Sequence, residues 1–359
     1  MLRNRKATLN FVRELDAFSK ISETYQETRT SGAAITIICF GIITALIYLE
    51  ITYFLTPKIQ YKYDVDTDYD GKLKINIDMT VAMTCDMIGA DILDVTNQNT
   101  HSFGHLDEEP TWFELSPQQR IFWDSMKHVN TYIREEHYTL HTVLWTSRST
   151  SLFGGMPLRE VQPDREHDAC RLHGTLFVNK VAGNFHITAG KSIPHPRGHA
   201  HLSLFLRDED YNFTHRIEHF SFGDPATGII DPLDGDEKIA LKNYQIYQYF
   251  IQIVPTHVDT TETNTNTYQY SVTEQDREVN HGGGSHGVPG IYFKYDMSSI
   301  KVHVQSVRQF WSQFLVRLCA IVGGVFATSG IINILVSSTI DIFSCRLISI
   351  SQNKISTPN

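Results

Sequence analysis

The sequence predicts a mainly β domain, two packed antiparallel sheets with one or two helices, held between two transmembrane α-helices. Three observations predict it: an apolar stretch near each end, a series of alternating apolar and polar runs between them, and turn residues separating those runs. With 359 residues, 41% hydrophobic and 20% charged, the chain is large enough for a sizeable core. Gly at 22, Pro at 12 and Cys at 5 exclude collagen-like, disordered and disulfide-scaffold classes. A net charge of -9 argues against a sequence-independent grip on nucleic acid, so no nucleic-acid partner is expected.

The first apolar stretch covers residues 32–55 and carries one charge, Glu50, near its far end. The second, 318–340, carries none, and Arg317 stands just before it where its side chain can reach the headgroups. Both exceed the roughly 20 helical residues that cross a hydrocarbon core. Residues 1–31 hold six basic side chains against four acids, and the tail 341–359 holds Arg346 and Lys354. By the positive-inside rule both termini face the cytosol and residues 56–310 are translocated. Leu9, Phe11, Val12, Leu15 and Phe18 are spaced for a short amphipathic helix in the N-terminal segment. Ala320, Gly323, Gly324 and Ala327 place small residues one turn apart in the second span, a pattern that lets another helix approach.

Of the five cysteines only Cys85 and Cys170 are translocated and outside the spans. In an oxidising lumen they are expected to pair, two free buried thiols being the alternative. Asn212-Phe-Thr214 is the single N-glycosylation acceptor.

Strand-like alternation runs through residues 61–66, 72–83, 170–183, 184–190, 201–206, 214–223, 247–255, 267–275, 290–297 and 300–307. One helix is expected from Pro117 to about His137, with Ser116 and Gln119 as a capping box and Phe122, Met126, Val129 and Ile133 on one face. Residues 97–110 and 146–168 read as polar surface loops.

Catalytic motifs are sparse. Asp66, Asp68, Asp70 and Gly71 imitate the start of a calcium loop, but the twelfth position is Ile77, so a charged turn is the better account. There is no Cys-x-x-Cys, no G-x-S-x-G and no phosphate-binding loop. All 17 histidines fall between His101 and His303. His195, His199, His201, His215 and His219 form the densest group and are the candidate pH-sensing residues, because imidazole titrates near 6.5. Structural hydrogen bonding is an equal reading. A metal site from the first three fits no standard spacing, so no metal and no cofactor is expected. A lumenal hydrolase or metal-dependent enzyme using the histidine cluster remains the alternative function. A channel is disfavoured, since neither span has an ionisable residue in its middle.

Leu15-Asp-Ala-Phe18 with Lys20, residues 179–186 (NKVAGNFH), 194–201 (PHPRGHAH), 211–215 (YNFTH), 231–235 (DPLDG) and 287–295 together resemble the Erv family of cargo receptors, and within it the smaller partner. The resemblance runs from about residue 6 to 345. It implies a lumenal β-sandwich between two spans and a heteromer with a larger Erv-family paralogue. It also implies COPI and COPII coats, lumenal cargo proteins and membrane lipids as partners. The implied location is the endoplasmic reticulum, the intermediate compartment and the cis-Golgi, with pH-dependent retrieval of escaped proteins and no enzymatic activity. The tail ends Ser-Thr-Pro-Asn, with neither a di-lysine motif nor a terminal hydrophobic pair, so sorting is expected to depend on the partner.

Overall fold

The computed structural model describes residues 30–68, 71–96, 103–136, 143–145, 155–195, 198–202, 206–260, 263–280, 282 and 284–355. Two units divide the chain: the membrane unit, described at 30–57 and 308–355, and the β unit Lys58–Val307. The amphipathic pattern between Leu9 and Phe18 lies outside the described residues.

In the β unit the strands are β1 (Lys58–Val65), β2 (Lys72–Val81), β3 (Ile88–Asp94), β4 (Asp107–Thr111), β5 (Ala169–Asn179), β6 (Gly183–Ala189), β7 (Lys191–His195), β8 (Gly198–Leu202), β9 (His215–Phe222), β10 (Asp236–Lys238), β11 (Gln245–Asp259), β12 (Asn264–Glu278), β13 (Gly290–Met297) and β14 (Ile300–Val307). A five-stranded sheet runs in the order β10-β9-β2-β5-β4, and a seven-stranded sheet in the order β1-β14-β11-β13-β6-β3, with β12 on the other edge of β11. β7 and β8 form a separate hairpin.

Alternation decides the inner faces. Leu73, Ile75, Ile77, Met79 and Val81 of β2 are all at most 2% exposed and point at the larger sheet's Phe185, Ile187, Tyr249, Ile251 and Phe293 in one core. Each such side chain contributes about 1.5–3 kcal/mol on burial. Phe293 stacks on Phe220 and on Tyr249, each at 4.8 Å between centroids, tying the two sheets together.

The smaller sheet is antiparallel throughout, as expected. The larger one is mixed, which corrects the all-antiparallel expectation: β13 and β14 both run parallel to β11. β12 ends beside Gln245 at the start of β11 and β13 begins beside Ile246 on the other side, so β13 runs in the direction of β11. A Cβ at Gly287 (φ +154°) would meet Ile246 Cδ1 at 2.8 Å, which is why this crossing needs glycine. β4 corrects the loop expected over 97–110. Its Asp-Glu-Glu-Pro-Thr sequence has no apolar alternation, and it is an edge strand against β5.

Cys85 and Cys170 are joined by a disulfide that closes 85 residues. The 179–186 motif fixes local packing. Asn179 donates to Asp94 Oδ2 at 2.7 Å, and Lys180 Nζ, its side chain 5% exposed, reaches Asp66 Oδ2 at 2.7 Å and Asp68 Oδ2 at 3.5 Å. A lysine thus holds the acidic turn that imitates a calcium loop.

The membrane unit has α1 (Thr30–Leu55) and α3 (Trp311–Ile355); the helix between them in sequence, α2, is Pro117–Glu135 of the β unit. The stretches long and apolar enough to cross a bilayer are Ile35–Leu55 and Trp311–Val336. The second therefore begins earlier than the expected 318. Arg317 does not stop it, because its guanidinium lies 3.6 Å from Glu50 Oε1 and over the Tyr53 ring, while Phe54 packs on Trp311 and Phe314. α3 also continues through the expected tail to Ile355, a stretch with no proline or glycine after Gly330. Ala320 and Ala327 are exposed, and a Cβ at Gly323 or Gly324 would meet nothing within 4 Å. The contact between α1 and α3 instead uses Cys39 against the Val325 carbonyl and Phe40 against Phe326.

Candidate functional site

α2 starts as its sequence dictates: Ser116 Oγ accepts from the Gln119 N–H and Gln119 Oε1 from the Ser116 N–H. Its buried residues are Trp123, Met126 and Ile133, whereas Val129 is exposed, so the inward face is rotated toward Trp123 from the one expected. The rotation has a cause in β9. The Arg216 guanidinium sits 5.7 Å from the Trp123 ring and 4.4 Å from that of Phe113. Arg120 pairs with Glu237 at 3.2 Å, Asn130 donates to the Asp234 carbonyl and Arg134 to the Pro232 carbonyl, so α2 roofs the outer face of the smaller sheet.

Beneath that roof lies a cavity of about 870 Å³. Charged side chains from several elements line it: Asp78 of β2, Arg171 of β5, Arg216, Glu218 and His219 of β9, and Asp231 in the following loop. Glu109 and Asp234 border it as well. A β-bulge makes this possible. Met79 pairs with Ile217 and Asp78 with His219, leaving Glu218 as the extra residue, so Glu218 and His219 both reach the cavity while Ile217 and Phe220 stay in the core.

The charges are tightly partnered. Arg171 forks onto Asp78 with two 2.8 Å bonds and reaches Glu109 at 3.4 Å. Glu218 Oε1 accepts from Thr80 at 2.9 Å and lies 3.4 Å from Arg216 Nε; its other oxygen is buried without a hydrogen bond. Burial pushes the Glu218 carboxyl up to about 7 against the pull of Arg216, with Asp78 adding to the rise. Burial also raises Asp231, helped by the charge of Asp234. His219 Nδ1 is 2.8 Å from Asp234 Oδ2. Burial pulls that imidazole down, but the Asp234 hydrogen bond and charge, with Asp231 and Asp78 behind them, outweigh it and push it up to about 9.

These directions reassign the titrating groups. The Asp234 contact favours the protonated form of His219, while burial brings the Glu218 and Asp231 carboxyls up toward neutrality. Of the five candidate histidines, His215 is fully buried, bonded to Tyr249 Oη at 2.7 Å and to the Phe213 carbonyl, and burial lowers it to about 4. It remains neutral above that pH, which removes it from the expected sensing set. His201 lies elsewhere, beside His186 and Asp91. The hairpin carries His195 and His199 as well, and their side chains lie outside the described residues. Asn212 is exposed just before β9.

Sequence reading missed Glu218, Asp231 and Asp234. The signal is present: Ile217-Glu-His-Phe220 puts two polar residues between apolar ones where strict alternation allows one, and Asp231-Pro-Leu-Asp234 sets two carboxylates a turn apart close after that strand.

Three groups of described residues could hold a metal: His219 with Asp231 and Asp234, Asp91 with His186 and His201, and Cys85 with Glu108 and Cys170. The disulfide removes both thiolates from the third. In the first, His219 Nδ1 already faces Asp234 and Nε2 faces Ser221 Oγ, each at 2.8 Å. The Ser221-His219-Asp234 connectivity is that of a hydrolase triad. Ser221 does not line the cavity, however, and is tied to Asn76 Nδ2 at 3.1 Å, so its hydroxyl is not presented to a substrate there.

A mainly β unit flanked in sequence by two helices of membrane-crossing length, with a charged cavity on its smaller sheet, is the architecture of a membrane-anchored protein. Residues 158–333 match the family described as endoplasmic reticulum vesicle transporter, and residues 12–101 the one described as Endoplasmic Reticulum-Golgi Intermediate Compartment (ERGIC). Endoplasmic reticulum-Golgi intermediate compartment protein 2 of Danio rerio is 48% identical over 96% of this chain and 91% of its own length; that of Homo sapiens is 47% identical over the same shares. ER-derived vesicles protein 41 of Schizosaccharomyces pombe is 26% identical over 91% of each chain. The crystal structure of Erv41p matches with 25% identity and a TM-score of 0.44, covering 69% of this chain and 100% of that one. The chain belongs to this family of ER–Golgi vesicle proteins.

Proposed function

We propose that this chain is a non-enzymatic subunit of a heteromeric cargo receptor that cycles between the endoplasmic reticulum and the cis-Golgi. The β unit faces the lumen and binds lumenal proteins, both termini lie in the cytosol, and COPI and COPII coats act through them and through those of a larger Erv-family paralogue. The observation that carries this reading is the near-full-length identity to intermediate-compartment proteins. Three features of the molecule support it further. The small-residue stripe of α3 is left open by α1 and offers a face to the paralogue's helix. Ser221 of the Ser221-His219-Asp234 arrangement lies outside the cavity lining and is bonded to Asn76, which disfavours the hydrolase alternative.

The third feature is the pH response of the cavity. As pH falls through about 7, Glu218 and Asp231 take up protons, the cavity loses negative charge, and Arg216 and His219 lose counter-charge. Cargo retention is therefore favoured at the mildly acidic end of the pathway and release at the neutral end.

Affinity isolation of the protein from detergent extracts tests this at pH 6 and pH 7.4. The paralogue is expected at both values and lumenal proteins chiefly at the lower one. Glu218→Gln, which imitates the protonated carboxyl, should hold that cargo at both. Recovery of neither paralogue nor cargo, or cargo recovery unaffected by pH, contradicts the proposal.

A further inference from the structure

Outside the cavity, a second cluster of ligating side chains sits where the β7–β8 hairpin meets the larger sheet. Asp91 of β3 and His186 of β6 are register partners, and the core-facing positions beside them are Ile92, Phe185 and Ile187, so both point away from the core. Tyr292, the register partner of His186 on β13, stacks on its ring at 5.9 Å. The hairpin adds His201. Its close approach depends on Gly89, where a Cβ would meet the Gly190 carbonyl oxygen at 2.6 Å and His201 Nδ1 at 3.0 Å.

His201 Nδ1 lies 3.2 Å from the Gly190 carbonyl oxygen, which can only accept, so that nitrogen carries the hydrogen and Nε2 offers a lone pair. That Nε2 is 3.4 Å from His186 Nε2 and 3.4 Å from Asp91 Oδ2. Asp91 Oδ2 is buried and makes no hydrogen bond, and the three ligand atoms lie within 4.8 Å of one another. In a tetrahedral zinc site with bonds of about 2.0–2.1 Å, neighbouring ligand atoms stand about 3.3–3.4 Å apart. Two edges of the cluster have that length. Two imidazoles and a carboxylate are borderline donors suited to zinc rather than to calcium or magnesium. A backbone carbonyl holding the far side of His201 is the outer support such sites use.

We propose that Asp91, His186 and His201 form a zinc site that pins the β7–β8 hairpin onto the outer face of the larger sheet, with one coordination position open to water. The site is separate from the cargo-binding cavity and independent of the reading given to it. Zinc here staples two elements that share few other contacts, and its affinity falls as acid protonates the two imidazoles.

The full-length protein, purified in detergent and stripped with a chelator, is titrated with Zn²⁺ against a competing chelator, and separately with Co²⁺ while visible absorption is recorded. One equivalent of zinc is expected to bind, with Co²⁺ giving the visible bands of a four-coordinate ion. Asp91→Asn and His201→Gln, each removing a ligand, should each weaken zinc binding by at least the roughly 10–100-fold that loss of an outer support costs. His303→Gln, in the His257–His303 ring pair on the β11–β14 seam, should leave it unchanged. If the wild-type protein holds no stoichiometric zinc and gives no cobalt bands, the cluster carries a proton rather than a metal and the proposal is wrong. Equal zinc affinity in the Asp91 and His201 variants overturns it too.

Discussion

Arg216→Met is expected to lower the stability of the β unit by about 3–5 kcal/mol, the range for removing one partner of a buried ion pair. The Arg216 side chain is 3% exposed and, among the described residues, its charged hydrogen-bond partner is Glu218, whose side chain is 11% exposed. Methionine keeps most of the contact with Trp123 and Phe113 but leaves the carboxylate buried with only Thr80 to bond it. The sign with pH follows from the raised Glu218 pKa. A carboxyl raised to about 7 in the fold holds a proton that the unfolded chain gives up near 4.5, so its contribution favours the folded state at low pH and is lost as pH rises toward 7. With Arg216 gone the carboxyl rises further, so the loss should be larger at pH 8 than at pH 6. Chemical denaturation of the purified variant at the two values measures this. A cost below about 1 kcal/mol at pH 8, or one that grows on acidification, would contradict the buried-pair account.

Replacing the disulfide by Cys85→Ser with Cys170→Ala is expected to cost about 4 kcal/mol, because the bridge closes 85 residues and the loop-entropy relation gives a value near the top of the usual range. Location adds to the effect. Cys85 lies in the turn that carries the chain from β2 of one sheet to β3 of the other, and Cys170 is fully buried on β5. Freeing the turn therefore loosens the link between the sheets rather than a surface loop. Thermal unfolding with and without reductant, and retention of the variant in the endoplasmic reticulum, report the outcome. An unchanged unfolding midpoint in both would mean that the core alone fixes the β2–β3 connection.

Much of this architecture was legible before any coordinates. The spans, the alternation of β2 and the Ser116 cap are local signals, each written in a few consecutive residues, and each appears within a few positions of where it was read. The parallel pairing of β13 with β11 was not legible, because it depends on where a glycine-rich connection crosses rather than on the strands themselves. The pairing of Arg317 with Glu50 was not legible either, because the two are 267 positions apart in the chain. The site shows the same division. Histidines are conspicuous in sequence, and their density drew the pH argument to them. Burial, which the sequence does not state, raises the Glu218 and Asp231 carboxyls toward neutrality and lowers the His215 imidazole.

Protease added to sealed vesicles tests the central claim most directly, since a lumenal receptor requires residues 58–307 to be shielded by the membrane. Trimming of the two termini alone, with a protected fragment that still carries the Asn212 glycan, is the predicted result. Cleavage inside the β unit of intact vesicles would contradict it.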